Sequence, residues 1–102
     1  MQVRVTDELA VELVDTDNFR RFDVQVELPL QRLVDVTAAL ANFAELEGVD
    51  AAWIHADWIA DVANSGEEWL AGFGKMVAYA RGRGWTRDAP LRIRAHILWS
   101  RV

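Results

Sequence analysis

The residues of this sequence best suited to acid–base or metal chemistry are His55, Asp57 and His96. Two histidines and one carboxylate make up a common ligand set for divalent metals. His55 and Asp57 are two positions apart, so they share one face of a strand but lie about 200° apart around a helix. Because the pattern alone has low specificity, we expect no bound metal and no cofactor. The three residues remain the candidate catalytic groups.

A second candidate site consists of arginines near the C-terminal end. Arg92 and Arg94 project with His96 from one face of a predicted strand, and Arg87 comes just before it. The guanidinium fork suits carboxylates and phosphates, so this group could bind an anion. The alternative is that the strand lies beside an acidic one and forms cross-strand ion pairs with it. The carboxylates that this alternative would use are Glu8, Glu12, Asp23 and Glu27.

Charge is distributed unevenly along the chain, whose formal net charge is −5. Residues 1–80 contain five basic and fifteen acidic side chains, whereas residues 81–102 contain six arginines and one aspartate. An acidic chain whose predicted helices lack a basic face argues against nucleic-acid binding. The excess of arginine over lysine, together with abundant alanine, favours a bacterial source.

Five tryptophans are several times the usual number for 102 residues. Trp69 begins a predicted helix and Trp85 follows a glycine in a predicted loop, so we expect both to be partly exposed. Exposed tryptophans are typical of self-association surfaces and ligand clefts. Trp58 and Trp99 are expected in the core, because each falls on the apolar side of its predicted element.

Several function classes have little support. The chain has no cysteine, which excludes disulfides, thiolate metal sites and a cysteine nucleophile. Neither serine, Ser65 or Ser100, has the spacing of a Ser–His–Asp triad. The first residues lack the apolar core of a signal peptide, and no apolar run approaches the roughly 18 residues of a membrane span. We therefore expect a cytoplasmic protein without membrane contact. The missing nucleophile motifs favour a non-catalytic protein over an enzyme, and the enzyme stays an open alternative.

Alternation of apolar and polar residues predicts three strands. Residues 3–14 and 21–28 are predicted to form an antiparallel hairpin around the turn at 17–18. Asp7 interrupts the apolar face of the first strand, so a bulge or a break is expected there. The third strand covers residues 91–99.

Helical spacing predicts helices over residues 30–47 and 66–81. Residues 51–63 are ambiguous, because their apolar run fits either a helix or a short strand through 53–56. Gly72 and Gly74 lie inside the last helix, where glycine is unfavourable. They predict close packing against a bulky neighbour, such as a tryptophan, or a cleft wall that a ligand approaches.

The element order is β-β-α-α-α-β. It predicts one α+β domain over residues 1–102: a two-layer sandwich with an antiparallel sheet of three to four strands, made of the N-terminal hairpin plus the C-terminal strand, and about three helices on one face. Our leading functional prediction is a non-catalytic accessory or regulatory module that acts through protein–protein contact, as a homodimer. The residues expected at its interface or anion site are Arg87, Arg92, Arg94, Trp69 and Trp85.

The alternative prediction is a small enzyme or ligand-binding protein with a pocket between sheet and helices. In it, His55, Asp57 and His96 supply acid–base or ligand groups, while Arg92 and Arg94 hold an anionic small molecule. This alternative requires His55 and His96 to converge on one concave site.

Overall fold

The structure, a computed structural model, describes residues 1–100 of the chain. These residues form three helices and a mixed sheet of seven strands. The strands are β1 (Gln2–Val5), β2 (Val11–Val14), β3 (Asp23–Pro29), β4 (Ala44–Glu47), β5 (Ala51–His55), β6 (Thr86–Arg87) and β7 (Arg92–Ser100). The helices are α1 (Leu33–Leu40), which follows a short 3-10 turn, α2 (Ala56–Ala63) and α3 (Gly66–Gly82).

The strands are arranged in the order β2-β1-β3-β7-β5-β4, and β6 pairs with the beginning of β7. Strand β3 is parallel to both of its neighbours, β1 and β7. The pairs β1–β2, β5–β7, β4–β5 and β6–β7 are antiparallel. The C-terminal strand β7 therefore lies near the middle of the sheet, with β3 and β6 sharing one of its sides and β5 on the other.

The predicted antiparallel sheet of three to four strands is wrong, although the α+β class and the three helices agree with the structure. The predicted N-terminal hairpin is one source of the error. Residues 3–14 break into β1 and β2, which pair with each other, because a tight turn forms at Asp7: Leu9 N donates to Thr6 O at 2.9 Å. Leu9 has a φ of 66°, which closes this turn. Strand β3 then pairs with β1 in parallel, not with β2.

The other missed strands lie in the middle of the chain. The helix predicted for residues 30–47 ends at Leu40, and residues 44–47 form the edge strand β4. The ambiguous segment 51–63 contains both predicted structures, since β5 leads directly into α2. Residues 51–54 are all buried, on both faces of the sheet, so no alternation marks them as a strand.

The core lies between one face of the sheet and the helices. Strand side chains on that face, such as Val24 and Ile93, share one buried cluster with Leu40 of α1, Ile59 of α2 and Phe73 of α3. The opposite face, called here the open face, carries most of the polar strand residues. Within residues 1–100, no helix is both long and apolar enough to cross a membrane.

Candidate functional site

A row of ion pairs runs across the open face between β4 and β7. Arg92 Nη1 donates to Glu45 Oε1 at 2.9 Å, and Arg94 Nε donates to Glu47 Oε2 at 3.0 Å. His55, which lies between these strands on β5, is hydrogen bonded through Nε2 to Oε2 of Glu45. The row places two arginines that alternate along β7 opposite two glutamates that alternate along β4.

The same contacts change the acidity of both glutamates. Burial alone would raise the pKa of Glu45, but hydrogen bonds from His55 and Arg92 outweigh it and lower that pKa. The hydrogen bond from Arg94 is the main cause of a lowered pKa for Glu47, with a further contribution from a bond donated by Trp53. Both carboxylates are therefore held in their charged form.

Trp53 is the most deeply buried aromatic side chain of the open face, with 6% of its surface exposed. Its Nε1 donates to Glu47 Oε2 at 3.0 Å, and the Arg87 guanidinium lies 3.9 Å from the ring centroid. This is cation–π geometry, which favours a positive charge over the indole face. Arg87 thus covers a tryptophan that would otherwise face solvent.

The acidic partners of the arginines lie elsewhere than the sequence predicted. Glu27 binds Arg4, and Asp23 binds Arg21 at 2.7 Å, so the hairpin carboxylates do not contact Arg92 or Arg94. The partners are Glu45 and Glu47, in a segment that we predicted as helix. Cross-strand ion pairs do form with these arginines, but with a different strand from the one predicted, and anion binding by Arg94 stays a prediction.

A pocket of about 220 Å³ opens where the sheet is interrupted along β7. On this side of β7, Trp85 O accepts a bond from Arg94 N at 2.8 Å, and the next pair, Asp23 with His96, belongs to β3. Strand β6 and Trp85 therefore cover the first part of this side of β7, strand β3 covers the later part, and the sheet is interrupted between them. The lining residues are Phe19, Arg20, Phe22, Met76, Tyr79, Ala80, Trp85, Ile93, Arg94 and His96.

The pocket is basic on the side of the open face. Arg20, Arg94 and His96 line it, and no carboxylate is among its lining residues from the described part of the chain. Arg94 uses Nε for Glu47, and no described residue accepts a hydrogen bond from its two terminal nitrogens. Asp23, the nearest acidic neighbour of His96 in the sheet, accepts hydrogen bonds from Gln2 and Arg21. The donors of this site that bind no described residue therefore suit an anion.

The other walls are aromatic. The rings of Tyr79 and Trp85 meet edge to face, with centroids 6.2 Å apart and planes at 67°. The Arg83 guanidinium lies 4.9 Å from the Trp85 ring centroid.

Phe19 packs so closely on Gly72 that a Cβ there would lie 2.5 Å from its ring. Gly72 is thus explained by close packing against a bulky side chain, as predicted, whereas Gly74 has no heavy atom within 4 Å of a built Cβ.

The structure does not bring His55, Asp57 and His96 together. His55 lies opposite Arg92 and His96 opposite Ala51, four positions apart along β7, which is about 13 Å. Asp57 is exposed in the first turn of α2. Only His96 lines the pocket. Within residues 1–100, no three histidine, aspartate or glutamate side chains are placed to hold a metal ion.

The two tryptophans expected to be partly exposed differ in how deeply they are buried. Trp85 is half-buried and lines the pocket. The expected exposure of Trp69 is wrong, because 4% of it is exposed, its Nε1 donates to Thr16 O at 2.8 Å, and its ring stacks on Phe73. Trp69 therefore fastens the loop before β3 to the helix layer.

The pocket residues that sequence reasoning missed include Phe19, Arg20 and Tyr79. The first two lie in the loop between β2 and β3, where no periodicity marks a role. Tyr79 lies on a helix and remains 63% exposed, which is unusual for an aromatic side chain and is visible only in the structure. The signal that could have drawn attention to the loop is its clustering of aromatic and basic residues over positions 19–22.

Comparisons with known proteins return no matching family model, no similar curated protein and no similar solved structure. Function must therefore be inferred from the geometry of the site.

Proposed function

We propose that this domain is a small-molecule-binding module that takes a small organic anion in the pocket beside β7. The observation that carries the proposal is the composition of the pocket wall: aromatic and apolar side chains on one side, and Arg20, Arg94 and His96 on the other, with no carboxylate among the described lining residues. Ligand sites commonly combine an apolar enclosure with a few convergent polar groups.

The size of the pocket supports a small ligand. A cavity of about 150 Å³ lined by apolar side chains is large enough for benzene. The pocket here, at about 220 Å³, leaves room for a charged group beside one ring or a short alkyl chain. Arg94 and His96 line it from the open face and Met76 and Ala80 from the helix layer, so a charged group can lie next to Arg94 while the apolar part contacts the helices.

Binding is favoured over catalysis because Asp23, the carboxylate paired with His96 in the sheet, accepts hydrogen bonds from Gln2 and Arg21 and so does not orient the imidazole. A general base usually needs an orienting partner or a perturbed environment. His55 does have a carboxylate partner, Glu45, but the pair lies at the far end of the open face.

The experiment is an NMR titration of ¹⁵N-labelled protein with hexanoate and benzoate, using hexanol and benzyl alcohol as uncharged controls. We expect the anions to shift the amide signals of pocket residues and the alcohols to do so at least tenfold more weakly, since charge-assisted hydrogen bonds contribute about 1.5–3 kcal/mol. If no anion perturbs the pocket, the proposed function is wrong.

Arg92 offers a matched control for Arg94. Both arginines project from the open face of β7, and each binds a glutamate of β4, but only Arg94 lines the pocket. Arg94→Gln should abolish most anion binding, whereas Arg92→Gln should leave it intact. Equal losses in the two variants would show that any binding follows the charge of the face and not the pocket.

Protein–protein contact, as a homodimer, stays a second proposal. Its support is the exposure of large apolar side chains: Val34 on α1 is 81% exposed, and Leu70 on α3 is also exposed. Native mass spectrometry of the purified protein tests it, because a monomer at micromolar concentration would contradict a stable dimer. A cytoplasmic location likewise stays a prediction.

A further inference from the structure

We infer that the preferred ligand is an aryl carboxylate of single-ring size, held end-on by Arg94 with its ring among the aromatic walls. This inference rests on the proposed function and narrows it to one chemical class. It depends on two features of the pocket: the part of Arg94 that remains available, and the identity of the side chains opposite it.

Arg94 lines the pocket, and its guanidinium has one edge bound and one end without a described acceptor. The bond from Nε to Glu47 Oε2, at 3.0 Å, fixes one edge of the group. The terminal nitrogens Nη1 and Nη2 keep a parallel pair of N–H donors without a described acceptor. A carboxylate accepts such a pair with its two oxygens in one plane, which makes the interaction both strong and directional.

Carboxylate fits this end better than phosphate does. A phosphate group has three oxygens that need donors, and here the planar fork of Arg94 satisfies two of them. The remaining basic groups, Arg20 and His96, lie on an exposed rim where water competes for the ligand. The geometry therefore favours a planar group with two acceptors.

The opposite walls favour a flat ring over an aliphatic body. Phe19, Phe22, Tyr79 and Trp85 line the pocket together with the thioether of Met76. The 67° angle between the rings of Tyr79 and Trp85 shows that edge-to-face packing already occurs in this wall. Aromatic rings gain from such contacts beyond the area that they bury, and methionine sulfur also contacts ring edges favourably.

The test compares the affinities of benzoate, cyclohexanecarboxylate and phenylphosphate by NMR titration. Benzoate and cyclohexanecarboxylate have the same carbon skeleton and charge, but only benzoate is flat and aromatic. We expect benzoate to bind about two- to tenfold more tightly than cyclohexanecarboxylate, the range given by one good aromatic contact. We expect phenylphosphate to bind more weakly than benzoate.

Variants of Tyr79 and Arg94 test the two parts of the inference separately. Tyr79 is mostly exposed, so its replacement should not impair folding. Tyr79→Leu should bring the benzoate preference over cyclohexanecarboxylate close to one, while Tyr79→Phe keeps it. Arg94→Lys retains the charge but loses the fork, and should weaken benzoate binding about tenfold.

The outcomes distinguish this inference from the proposed function. Equal affinities for benzoate and cyclohexanecarboxylate, both lost in Arg94→Gln, would overturn the aryl class and leave anion binding in place. Tighter binding of phenylphosphate than of benzoate would replace carboxylate by phosphate as the recognised group. No binding of any of the three anions would remove the inference together with the proposed function.

Discussion

Gly72 and Gly74 provide a matched pair of substitutions on one helix, with opposite surroundings. Both lie inside α3, where alanine is favoured over glycine by about 1 kcal/mol. A Cβ at Gly74 meets no heavy atom within 4 Å, so Gly74→Ala should raise the free energy of unfolding by most of that amount. A Cβ at Gly72 would meet Phe19 instead.

The magnitude at Gly72 follows from three distances. The added carbon would lie 2.5 Å from Cε2 of Phe19, 3.0 Å from Cζ and 3.1 Å from Cδ2. Carbon atoms pack best at about 3.5–4.0 Å, so the whole ring must retreat by roughly 1 Å. Forcing extra volume into a packed site costs about 1–3 kcal/mol. Gly72→Ala should therefore be less stable than Gly74→Ala by about 1–3 kcal/mol.

Thermal unfolding followed by circular dichroism measures this difference. For a domain of this size, 1 kcal/mol corresponds to a shift in Tm of about 4–8 °C, so the two variants should differ by at least about 4 °C. Because Phe19 also lines the pocket and lies beside Trp69 with ring centroids 5.8 Å apart, Gly72→Ala should also weaken benzoate binding. Equal melting temperatures, with unchanged binding, would refute the packing of Phe19 on α3.

Three further predictions concern stability and the open face. Trp69→Phe removes a partly buried hydrogen bond from its indole to a backbone carbonyl and should lower the free energy of unfolding by about 1–2 kcal/mol, measured by urea denaturation. The lowered pKa values of Glu45 and Glu47 mean that their contribution to stability is full above pH 4.5 and is lost as pH falls through the lower folded-state values. The stability difference between the wild type and a double glutamine variant should therefore shrink below pH 4.5, and a constant difference would contradict the ion pairs. Arg87→Gln uncovers Trp53 and should increase its quenching by acrylamide; unchanged quenching would mean that the guanidinium does not shield the ring.

The elements that sequence reasoning predicted well are those whose pattern is local. Strand β7 alternates buried and exposed residues over most of its length, and α3 repeats its buried residues at helical spacing, so both appear close to their predicted limits. The shared face of Arg92, Arg94 and His96 follows from that alternation alone. Strand β5 was predicted only as one of two alternatives, because burial on both of its faces removes the period that distinguishes a strand from a helix.

The candidate site was predictable only in part. Arg94, His96 and Trp85 were singled out from their types and positions, and they do line one pocket. Phe19 and Arg20, which line the same pocket, come from a loop more than fifty positions away. The spacing of residues in either segment does not predict that the two segments lie side by side. The predicted convergence of His55 with His96 failed because the register of β5 against β7 separates them.

The amino-acid sequence by itself determined the α+β class, the helix α3, the strand β7 and the basic face of that strand, because side-chain periods of about 3.6 and 2 are properties of short segments. The tertiary structure alone decided that β7 lies between β3 and β5, that Glu45 and Glu47 pair with its arginines, and that a break in the sheet opens a pocket. The physical reason is that backbone donors and acceptors are the same in every strand. Which strands pair therefore depends on how the whole chain buries its apolar faces. The pairing cannot be predicted from the residues of any single segment.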